Sequence, residues 1–128
     1  MDQSSLVTEE IDAGTKFLCE FDKYEPVTAA FWLKSSDEDF RYLYVASNQI
    51  DDSNFDVAYG EVLRVANEMR SPYLDPFRVK LVNTKNPLAK AAIDVNQRFP
   101  GRIPTRFGGN SFGGTSIDDV YIYPSPLV

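Results

Sequence analysis

The sequence predicts an α+β domain with the element order α-β-β-α-β-α-β-β, built on a mixed or mainly antiparallel sheet with helices packed on one face. Three observations predict it. Apolar residues recur at helical spacing in three segments, β-branched and aromatic runs alternate with those segments, and no linker long enough to separate two domains interrupts 1–128. A chain of 128 residues matches the size of one domain, and 43% hydrophobic with 25% charged residues is an ordinary globular composition.

Each element follows from local chemistry. Over 5–23, Leu6, Val7, Ile11, Phe17, Leu18 and Phe21 keep helical spacing, Glu9, Glu10 and Asp12 favour the helix start, Gly14 weakens the middle, and Pro26 closes the segment. Segments 27–35 and 40–47 form a β-hairpin around the polar turn Ser36 to Asp39. Asp51, Asp52 and Ser53 offer N-caps for a helix running to about Met69, with Phe55, Ala58, Tyr59, Val62, Val65, Ala66 and Met69 on its apolar face. The alternation of 77–83 predicts a half-buried strand. Asn86 and Pro87 read as the N-cap and first residue of a third helix, which Pro100 and Gly101 end near Phe99. A short strand near 103–107, a glycine-rich connection and a strand at 117–123 complete the order.

Composition excludes several classes. Cys19 is the only cysteine, so no intramolecular disulfide or multi-cysteine metal site can form. The lone thiol and the lack of a leader-like or membrane-length apolar run lead us to expect a cytoplasmic chain with no membrane partner. A net charge of −6 makes nucleic acid an unfavoured partner. The charge is uneven: residues 1–69 carry 5 basic against 15 acidic residues, whereas 70–106 carry 8 basic against 2 acidic. Acidic and basic segments lying side by side would neutralise one another.

Few signals point to chemistry. Histidine is absent, which removes the commonest general base and most zinc chemistry. The acidic groups Asp37, Glu38, Asp39 and Asp51, Asp52, Asp56 lack the pattern of a calcium loop and read as a turn and a helix start. Asp75 ahead of Arg78 and Lys80 departs from the carboxylate spacing of a metal-dependent nuclease. Two copies of Phe-Gly-Gly lie five residues apart at Phe107 and Phe112; with a strand rather than a helix following, they read as a turn, not a phosphate loop. No cofactor, metal or catalytic residue is expected.

Strand alternation suggests one recognition surface. Tyr42 and Tyr44 share a strand face opposite Leu43 and Val45, and Tyr121 and Tyr123 share one opposite Val120 and Ile122. If the aliphatic sides meet the helices, these tyrosines, with Trp32, pave the outer face as an aromatic docking surface for a second copy or another protein. The alternative is a nucleic-acid-associated protein or nuclease using the basic 70–106 segment, with Arg98, Arg102 and Arg106 contacting phosphates.

The hairpin AAFWLKSSDEDFRYLYVAS (29–47) and the closing RFGGNSFGGTSIDDVYIYP (106–124) resemble a group of small uncharacterised bacterial α+β proteins. These share a Phe-Trp-Leu strand, an Arg-Tyr-Leu-Tyr-like strand and an Asp-Val-Tyr-Ile-Tyr-like strand after a glycine-containing turn. The resemblance implies the fold and a bacterial origin, and it implies no activity.

Overall fold

The computed structural model describes residues 6–101, 103–109 and 111–124. Helix α1 (Thr8–Tyr24) buries Ala13, Gly14, Phe17, Leu18 and Phe21 along one face. Glu10 closes its first turn by accepting the Val7 amide at 3.2 Å. The chain leaves the helix at Glu25, directly before Pro26.

Strands β1 (Ala29–Ser35) and β2 (Tyr42–Ser47) form the expected antiparallel hairpin, with Trp32 opposite Leu43 and Phe31 opposite Tyr44. Helix α2 (Phe55–Met69) then returns the chain so that β3 (Val79–Asn83) runs parallel to β2. The start of α2 differs from expectation. Asn54 holds the N-cap position, while Asp51 accepts the Ser53 amide at 2.8 Å and organises the preceding turn. Helix α3 (Pro87–Arg98) begins as predicted: the Asn86 side chain accepts the amides of Leu88 and Ala89, and Pro87 follows it.

Strands β4 (Thr105–Phe107), β5 (Ser111–Phe112) and β6 (Thr115–Ile122) complete a six-stranded mixed sheet. The strand order is β3-β2-β1-β6-β4, with β5 pairing β6 farther along. The α+β class and the element order therefore hold.

The helices, however, do not share one face. Ala30, Trp32, Leu43, Val45, Val79 and Leu81 pack with Phe17, Leu18 and Phe21 of α1 and Val62 and Val65 of α2. Ala29, Phe31, Leu33, Tyr44, Ala46, Val120 and Ile122 pack with Ala89 and Ala92 of α3. The sheet is thus covered on both sides, α1 and α2 on one and α3 on the other. The physical reason lies in β1, where Ala29 to Leu33 are apolar at every position and all buried. Such a strand needs cover on both faces.

A buried polar link ties α1 to the sheet. Trp32 Nε1 donates to the Tyr123 hydroxyl at 3.0 Å, which donates to the Ile11 carbonyl at 2.7 Å. Gly14 makes the approach possible, because a Cβ there would collide with the Tyr123 hydroxyl and lie 3.1 Å from Trp32 Nε1.

The closing hairpin turns at Gly113 and Gly114, with φ of 57° and 84°, as the glycine-rich connection predicts. Gly113 also abuts α3, where a Cβ would sit 2.8 Å from the Pro87 carbonyl oxygen. Relative to β1, strand β6 contains one extra residue, Asp118: Lys34 pairs with Asp119 and Ser35 with Ile117. The Gly109 amide donates to the Asp118 carbonyl at 3.2 Å. A Cβ on Gly108 would strike that same carbonyl.

Candidate functional site

The register separates the two tyrosine pairs. Tyr44 lies opposite Phe31, which lies opposite Ile122; Leu43 lies opposite Trp32, which lies opposite Tyr121. Tyr42 and Tyr44 therefore face the α3 side, while Tyr121, Tyr123 and Trp32 face α1 and α2. Trp32, Tyr44 and Tyr123 are buried, and Tyr42 and Tyr121 half-buried. No single tyrosine-paved outer face exists, because both faces of the sheet carry helices. Burial pushes the Tyr123 phenol well above its ordinary value, outweighing the opposing hydrogen bond from Trp32.

The basic residues are likewise dispersed. Arg98 ends α3 and pairs with Asp94 at 3.1 Å. Arg106 lies on β4 and pairs with Asp119 at 3.2 Å, as does Arg41 at the same distance. Arg102 lies outside the described residues. Lys80 crosses to Glu38 at 3.3 Å, so the acidic and basic segments partly neutralise one another. Among the described residues no group of three His, Cys, Asp or Glu side chains is placed to hold a metal, and no helix is long and apolar enough to cross a membrane.

A different surface emerges along β3. This strand ends the sheet, so half of its backbone N–H and C=O groups point away from β2. Its two flanks differ. On the α2 side, Val79 and Leu81 are buried, and Leu63, Ala66, Asn67 and Arg70 at the end of α2 line, with Pro76, a depression of about 440 Å³. Tyr59 secures that flank by donating its hydroxyl to the Pro76 carbonyl. On the α3 side, the Arg78 guanidinium lies 3.8 Å from the centre of the Phe40 ring, and Lys80 Nζ lies 4.2 Å from that of Tyr42.

A single 3-10 turn, Pro76–Arg78, replaces the first two residues of the strand predicted over 77–83, and in it, just ahead of β3, Phe77 is 74% exposed; Phe40 is 48% exposed. Both are large apolar groups beside an open edge. Burial opposes the charge on Lys80, but the Tyr44 hydroxyl and the Glu38 carboxylate outweigh it and hold its pKa above the ordinary lysine value. Lys80 Nζ lies over the sheet, donating to the Glu38 carboxylate at 3.3 Å and to the Tyr44 hydroxyl at 3.5 Å.

Sequence reasoning missed this surface. The exposed Phe77 was legible only as one position of an alternating strand, and nothing in 77–83 announces an outermost strand. Comparison with protein-family models, with curated proteins and with solved structures returned no match.

Proposed function

We propose that this chain is a protein-interaction module rather than an enzyme, and that it docks its partner along the open edge of β3. The observation that supports the reading is the coincidence of unpaired strand backbone with an exposed Phe77 and Phe40 at its head and an apolar depression alongside. Main-chain groups supply affinity to an added strand, and flanking pockets supply selectivity. The tyrosine pairs serve the core in this reading, so the docking role moves from them to β3. A cytoplasmic setting suits the lone thiol Cys19. Nucleic acid is the weaker reading, since Arg98 and Arg106 are each engaged by a carboxylate and lie on different elements.

Site-specific photocrosslinking in the producing cell tests the proposal. A crosslinking side chain at Phe77 should yield a discrete protein adduct, and one at the exposed Lys23 of α1 should not. Equal adducts at both positions, or none at Phe77, would overturn it.

A further inference from the structure

We draw no further inference here: the strongest candidate, the cleft of about 310 Å³ between α1 and the end of α2 lined by Glu9, Asp12, Lys16, Met69, Ser71 and Tyr73, carries nothing, because its charge is two carboxylates from the start of α1 beside Lys16 and nothing in the structure shows what they would hold.

Discussion

Two helical glycines should respond to the same substitution with opposite signs. Gly14 and Gly60 both lie inside helices, and intrinsic propensity alone favours alanine at each by about 0.8–1.0 kcal/mol. Around Gly60 no atom lies within 4 Å of an added Cβ. Gly60→Ala should therefore stabilise the fold by most of that amount. At Gly14 the new Cβ meets the Tyr123 hydroxyl, with Tyr123 Cζ only 3.2 Å away.

Relief requires Tyr123 to retreat, which loosens its bond to the Ile11 carbonyl and leaves the Trp32 indole N–H without its acceptor. Overpacking costs about 1–3 kcal/mol, and an unsatisfied buried donor about 1–3 kcal/mol more. After subtracting the propensity gain, a net loss of about 1–5 kcal/mol remains. An unfolding entropy of about 2.1 cal/mol/K per residue over 128 residues gives about 0.27 kcal/mol/K. The expected fall in Tm is about 4–19 °C for Gly14→Ala, against a rise of about 3 °C for Gly60→Ala. Calorimetry of both variants and of Gly14→Ala in a Tyr123→Phe background measures this. The double variant should lose less than the two single losses combined, because the colliding hydroxyl is gone. A rise in Tm for Gly14→Ala, or strict additivity with Tyr123→Phe, would refute the reasoning.

Three further outcomes are expected. Asp119→Asn removes the carboxylate that lies 3.2 Å from both the Arg41 and the Arg106 guanidinium, the former on a side chain only 6% exposed; chemical denaturation should show a loss of about 1–3 kcal/mol. Gly113→Ala should lower the denaturation midpoint more than Gly109→Ala. Both positions have positive φ, which costs about 1–2 kcal/mol with a side chain, but only Gly113 also faces the Pro87 carbonyl. In alkali, burial raises the phenol pKa of Tyr59, Tyr121 and Tyr123. The folded chain then keeps protons that the unfolded chain releases near pH 10, so stability is intact below about pH 10 and falls as pH rises toward the folded values. Phenolate absorbance during alkaline titration should rise together with unfolding, and early ionisation of a stably folded chain would contradict it.

Much of this architecture was readable from residues alone. Asn86 with Pro87 marked the start of α3, and the Phe-Trp-Leu and Tyr-Leu-Tyr-Val runs marked β1 and β2, because caps and strand patterns are local properties. The side on which α3 packs is not local. The Tyr-Leu-Tyr-Val alternation suggested one tyrosine face and one aliphatic face, but Ala29 to Leu33 are apolar at both parities and require two covers. The two tyrosine pairs fell on opposite faces because β1 lies between their strands, and the register through Phe31 and Trp32 fixes which side each takes. The outermost place of β3 arises from a crossover through α2, a long-range fact that no window of sequence contains.

The extra residue in β6 has a consequence for the doubled Phe-Gly-Gly. In a regular strand, residues five apart point to opposite faces, and a repeat of that length would send one phenylalanine into solvent. Here Phe107 and Phe112 both pack on the α3 side, their ring centres 5.8 Å apart, as do Val120, opposite Phe107, and Ile117 of the same strand. Both arms of the hairpin reverse their inside-outside phase at the same level, one at Gly108 and Gly109 and the other at Asp118. An odd spacing has thus become the spacing that keeps both rings indoors. Lengthening or shortening that stretch by one residue would turn Phe112 outward.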